Sequence, residues 1–320
     1  MQSLNIFMHE LLDYAGLFPP ALLSLEESLE NFVLYHEHKQ KKWLGKFILP
    51  ANKINDTILI LNKQNSFLTL NKKTEFSIIL SSCETISEYS KTLSLDFTVL
   101  LNLLNHYSKN IEIKSFEFLP PKEIFYSKKY DGLNYILTNI YSLIDKAQLK
   151  AEVFIEIPLT EDIESIVNIL NNYGNKFNQK ISIKIRTGGI SSEQIPSSFE
   201  IANAISTYAA SKTPLKATAG LHVPVPNFNN HVGTTLHGFL NVFSCMLLCY
   251  AQNLSVSIME KLLLECTYKN FRFTEKGFFV NNYFLENEKI LYLRQNYIKS
   301  FGTCSFIEPI EHLEKNNFIK

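Results

Sequence analysis

The feature that most constrains the fold is a repeated succession of one short apolar run and one helical pattern. Strand-like runs occupy Gly45–Pro50, Glu75–Ser81, Ile111–Leu119, Lys150–Ile157, Lys180–Thr187, Pro214–Ala219 and Gly302–Phe306. Helical patterns alternate with them at Leu25–His36, Thr85–Tyr107, Lys122–Lys146, Thr160–Asn172, Ser197–Ala210, Thr235–Gln252 and Ile258–Cys266. Such alternation builds a parallel sheet, because each helical crossover returns the chain to the same end of the sheet. Seven strands, with the hairpin-like stretch Phe271–Phe284 as the least regular candidate for another, predict a closed (β/α)8 barrel of the TIM type. The 320 residues are then one domain, in which residues 1–40 form a short N-terminal helical extension and the first helix. Within it Leu4–Tyr14 reads as a helix stopped by Gly16, placed to plug the barrel bottom or cover its mouth.

Prolines follow several strands: Pro50, Pro120 with Pro121, and Pro158. A proline just past a strand ends pairing and starts a loop, and in a barrel these loops form the C-terminal face where active sites lie. Alternation within each strand sorts its side chains between interior and helix layer. Ile181, Ile183 and Ile185 face the helices, which leaves Ser182, Lys184 and Arg186 inside. By the same count Glu152, Phe154 and Glu156 point in, as do Lys216 and Thr218, and Glu117 with Ser115. Lys46 shares a face with Ile48 but lies near its strand start, where it is less telling. A barrel centre that only fills space is made of Val, Ile and Leu, so Glu117, Glu156, Lys184, Arg186 and Lys216 in one interior predict a paired, functional set. Only three of the 31 basic residues are arginine, so Arg186 is read as a position that needs a planar guanidinium.

Five of the 11 glycines and three of the eight histidines fall between Gly188 and Gly238. The segments KIRTGG (184–189) and KATAGLH (216–222) each read Lys-x-x-x-Gly at a strand end. Thr187, Gly188, Gly189, Thr218 and Gly220 are therefore expected at a substrate, with backbone N–H groups turned to an anion. These paired lysine strands resemble those of deoxyribose-phosphate aldolases, Schiff-base barrels with K-x-S/T-x-G on one strand and K-A-S/T-x-G on the next. The resemblance implies that Lys184 forms the imine and that Lys216 is the neighbour that depresses its pKa. It covers about 40 of the 320 residues, and Arg186 stands where that family has a small residue. A wider resemblance, carried by DYAGLFPPA (13–21), KIRTGG, KATAGLH, HGFLN (237–241) and FGTCSF (301–306), is to an uncharacterised bacterial and plant family, and it implies no chemistry.

His222, two residues past the glycine of the Lys216 strand, is placed for acid–base work. His237 is read at the start of a helix capped by Thr234 or Thr235, with Asn241 and Ser244 continuing a polar stripe; His237 and Asn241 are expected at the substrate. Together His222, His231 and His237 leave room for a divalent metal, although no zinc signature is present and no cofactor is expected. Cys304 lies in a strand with no base evident beside it.

With 31 basic and 31 acidic residues the chain has no bulk field for nucleic acid or an anionic membrane surface. Five cysteines without a CxxC, and no basic leader with a cleavage site, predict a cytoplasmic protein. The expected activity is aldolase-like lysis of a small anionic carbonyl compound through a Schiff base, with Lys184, Lys216, Glu156, Glu117 and His222 carrying the chemistry. A metal-assisted hydrolase and a non-catalytic ligand-binding barrel are the alternatives.

Overall fold

The computed structural model describes residues 2–63, 73–127 and 130–319. Helix α1 (Gln2–Met8) leads directly into strand β1 (Leu12–Tyr14). The chain then runs through α2 (Leu25–Tyr35), β2 (Leu44–Pro50), α3 (Ile54–Lys63), β3 (Thr74–Ile79), α4 (Ile86–Tyr107) and β4 (Ile111–Phe118). It continues with α5 (Lys122–Tyr126), α6 (Gly132–Lys146), β5 (Glu152–Glu156), α7 (Ile163–Phe177), β6 (Ile181–Arg186), α8 (Ser198–Ala210) and β7 (Leu215–Thr218). A longer excursion follows, with the hairpin strands β8 (Asn227–Asn229) and β9 (Thr234–Leu236), then α9 (Phe239–Gln252) and α10 (Val256–Leu263). A three-stranded antiparallel meander, β10 (Phe271–Phe273), β11 (Gly277–Val280) and β12 (Tyr283–Glu286), leads through α11 (Asn287–Asn296) to β13 (Ile298–Thr303) and α12 (Ile307–Lys315).

Eight of these strands close into one barrel in the order β1-β13-β7-β6-β5-β4-β3-β2, and every pairing is parallel. With helices between the strands, this is a (β/α)8 barrel. Its outer strand faces are apolar: Val153, Ile155, Ile183, Ile185, Leu215 and Ala217 are fully buried. Each large aliphatic side chain removed from water there contributes about 1.5–3 kcal/mol. The helices start where their sequences supply acceptors. Ser24, Thr85 and Asp162 accept from backbone N–H groups of α2, α4 and α7, and Ser197 with Glu200 forms a reciprocal capping box on α8.

Four expectations need correction. The eighth barrel strand is Leu12–Tyr14, not the aromatic stretch Phe271–Phe284, whose three strands pair only with each other. The helix expected over Leu4–Tyr14 ends at Met8, and Phe7 of α1 packs against Phe273 and Phe278 of the meander. The last barrel strand begins at Ile298, four residues before the Gly302 expected, because Ile298 and Ser300 already lie in the buried wall.

Residues 234–237 do not start a helix. Thr234–Leu236 pairs with Asn227–Asn229 as a hairpin, and the helix begins after Gly238. No helix among the described residues is long and apolar enough to cross a membrane.

Candidate active site

Register brings the charged side chains together. Glu156 pairs with Lys184 and Lys184 with Lys216 across β5, β6 and β7, and adjacent strands lie about 4.8 Å apart, so their long side chains meet. The result is a continuous chain of alternating charge. Lys216 Nζ lies 2.6 Å from Asp13 Oδ2 and 2.5 Å from Glu117 Oε1. Lys184 Nζ lies 3.1 Å from Glu117 Oε2 and 2.8 Å from Glu156 Oε2. Arg186 Nε donates to Glu156 Oε1 at 2.8 Å, and at the other end Lys46 Nζ stands 3.8 Å from Asp13 Oδ1. Hydroxyl groups complete the carboxylates, with Ser300 donating to Asp13 at 2.5 Å and Ser77 to Glu117 at 2.6 Å.

Burial alone would raise the pKa of all three carboxyl groups, but their cationic neighbours dominate. Lys216 and Lys46 hold Asp13 below its ordinary value, Lys216 and Lys184 hold Glu117 far below, and Lys184 and Arg186 hold Glu156 below. For Lys216, burial works against the ammonium, yet Asp13 and Glu117 raise its pKa above that of an ordinary lysine. This corrects the idea that cation repulsion governs the pair. Glu117 stands between the two ammonium groups, and Glu156 stands between Lys184 and Arg186.

The network is graded in depth. Above it, at the C-terminal mouth, lies a cavity of about 580 Å³. Glu117, Lys184 and Arg186 reach its wall, whereas Lys216 and Asp13 are sealed beneath with side chains 0% exposed. The Lys184 side chain is 6% exposed and that of Arg186 52%. Arg186 keeps its two terminal nitrogens without a hydrogen-bond partner among the described residues.

The same architecture occurs in a solved structure described as "QR15, an Aldolase", which has a TM-score of 0.50 and 14% identity over 97% of this chain and 97% of that one. The two share the barrel fold. A GH10 xylanase from Bispora sp. MEY-1 with xylobiose matches 92% of this chain and 99% of its own at 8% identity, with a TM-score of 0.41. No family model and no curated protein sequence matches the chain.

Other candidates divide by position. Thr218, Gly189, Gly220 and His222 line the cavity together with Phe18 and Pro19 of the segment after β1. Thr187 turns away and donates to the carbonyls of Ala219 at 2.7 Å and Thr218 at 3.1 Å, which locks the two glycine turns together. Gly188 serves that contact and not a ligand. A Cβ on it would stand 2.8 Å from the Cα of Gly220, itself left-handed at φ +76°. Gly188→Ala is therefore expected to cost about 1–3 kcal/mol, as overpacking does, read as a lowered urea midpoint; an unchanged midpoint would show that the turns can part.

His237 and Asn241 do not reach the cavity wall. His237 Nε2 donates to the Pro196 carbonyl at 2.7 Å, and burial lowers its pKa. Asn241 Nδ2 donates to the carbonyls of Leu262 and Glu265, so it ties down the C-terminal end of α10. The polar stripe on α9 thus satisfies helix carbonyls, Ser244 doing the same for Leu240. With His237 so engaged and the carboxylates held by cations, the proposed metal set does not assemble, and no group of three or more His, Cys, Asp or Glu side chains suited to a metal occurs among the described residues.

Asp13 and Lys46 are the site residues that sequence reasoning missed or set aside. The signal for Asp13 was an acid embedded in Leu11-Leu12-Asp13-Tyr14, a run too short to show a period.

Proposed function

We propose that the protein is an aldolase-type lyase that holds a small anionic carbonyl compound as an imine on Lys184. One observation carries this reading: Lys184 is the lysine that meets the cavity, and two carboxylates lie within 3.1 Å of its ammonium group to orient it. The network contains four cations (Lys46, Lys184, Arg186, Lys216) and three carboxylates (Asp13, Glu117, Glu156), which leaves one excess positive charge that a substrate anion neutralises. Arg186, with its two terminal nitrogens still available, supplies the planar contact for that anion. The cavity volume of about 580 Å³ suits a small metabolite.

In the proposed sequence Lys184 loses a proton to solvent in the cavity, and its free amine attacks the substrate carbonyl. Loss of water gives an iminium ion. Glu117 or Glu156 then takes the proton of the β-hydroxyl group as the C–C bond breaks toward the iminium carbon. The resulting enamine is reprotonated, and water releases the second product. Lys216 keeps its proton throughout and fixes Glu117 from below.

Incubation with short aldehydes and 2-keto acids, followed by borohydride reduction and peptide mapping, tests the assignment. Label is expected on Lys184 and lost in Lys184→Arg, while Glu156→Gln slows trapping by about 10²–10⁴-fold. Absence of label, or label unchanged in Lys184→Arg, would sink the imine. Binding of anions without trapping would point instead to a solute-binding barrel, which the same excess charge also serves.

A further inference from the structure

A second reactive group opens onto the same cavity. Cys304 follows β13, His222 follows the glycine turn after β7, and Glu308 sits in the first turn of α12; all three line the cavity wall. Cys304 Sγ lies 3.9 Å from His222 Nδ1, and the same Nδ1 lies 3.2 Å from Glu308 Oε2. The strand that shows no base for Cys304 in sequence therefore gains one through space. Glu308 is held in turn by its own backbone N–H, which donates to Ser305 Oγ at 3.1 Å.

We infer that Cys304, with His222 as its base and Glu308 fixing the imidazolium, is a second nucleophile of the cavity that adds reversibly to aldehydes. Nδ1 of His222 holds the proton that the pair shares, and the sulfur lone pair forms a bond to the aldehyde carbon. The carbonyl π pair moves to oxygen, which takes that proton from His222. The product is a hemithioacetal, the sum of thiol and aldehyde, and no further reactant is required.

The electrostatics agree with this geometry. Burial works against a charged His222, but its bonds to Cys304 and Glu308 push it up to about 10, so the ring carries a proton readily at neutral pH. Reciprocally, His222 holds Glu308 below its ordinary value, with help from the charge of His312. Among the described residues the hydroxyls of Tyr14 and Tyr35 also feel Cys304. None of this depends on imine formation at Lys184.

Alkylation by iodoacetamide at pH 7, followed residue by residue by peptide mass spectrometry, tests the proposal. The exposed Cys266 serves as internal reference; Cys245 and Cys249, buried away from the cavity wall, report that the fold is intact by staying unlabelled, whereas the buried Cys304 is reached through the cavity. His222→Asn is expected to slow labelling of Cys304 by up to about 30-fold, the gain open to a base that removes a proton which a free thiol largely keeps at pH 7. Cys266 should label at one rate in both proteins. Acetaldehyde should slow labelling of Cys304 and not of Cys266, also in Lys184→Arg, where no imine can form at that position. Equal Cys304 rates with and without His222, an unlabelled Cys304, or no protection by the aldehyde would each overturn the proposal. Failure here leaves borohydride trapping at Lys184 untouched, and failure of trapping leaves this result untouched.

Discussion

Glu117→Gln is expected to lower the stability of the protein by about 3–5 kcal/mol, the usual cost of removing one partner from a buried ion pair. Glu117 touches both Lys184 and Lys216, so the amide leaves two buried ammonium groups short of their shared counter-charge. Urea unfolding followed by circular dichroism measures the effect. The pH dependence sharpens it. Asp13, Glu117 and Glu156 are all held below their reference values of 3.8 for Asp and 4.5 for Glu. Their contribution is therefore complete above those values and is lost as the pH falls toward and through the lowered ones. The wild-type urea midpoint should drop steeply below about pH 4.5, and Glu117→Gln should flatten that decline. An equally steep decline in the variant would mean that other carboxyl groups govern acid unfolding.

The second large effect is expected at Lys216. Lys216→Met leaves Asp13 and Glu117 facing each other in a closed interior, again at a cost of about 3–5 kcal/mol. Because the penalty comes from stranded charge, it should shrink when one stranded charge is removed. The double variant Lys216→Met with Asp13→Asn is expected to lose less than the sum of the two single variants, with a coupling of about 0.5–3 kcal/mol. Strict additivity would show that the two side chains do not act as a pair.

How much of this was legible in the sequence follows from segment length and from what each side chain does. Strands β2 to β7 carry enough residues for alternation to separate Ile183 and Ile185 from Lys184 and Arg186. Three-residue β1 carries no period, and Leu4–Tyr14 reads as helix throughout because its first half is one. The stretch Phe271–Phe284 is strand in character, but its partners are its own neighbours, a matter of tertiary pairing that residue type does not encode. Within the site, the inward set Glu117, Glu156, Lys184, Arg186 and Lys216 followed from alternation alone. The pairing of Asp13 with Lys216 and Lys46, and the base beside Cys304, came only from closure of the ring. His237 and Asn241 looked functional because polar groups on an apolar helix attract notice; their partners turned out to be backbone carbonyls of neighbouring segments.

The barrel seam joins residues 12–14 to residues 301–303, near opposite ends of the chain. On a ribosome that adds about 5–20 residues per second, on the order of 15 to 60 seconds separate the emergence of those two strands. Through that interval Asp13 is without Lys216 and then without Ser300, and one flank of β1 offers unpaired backbone groups to any strand nearby. Ring closure thus waits until residue 303 has emerged, a step of high contact order and correspondingly slow. A chain released before residue 301 would carry an open-edged sheet, a template for joining a second copy where the intact molecule joins itself.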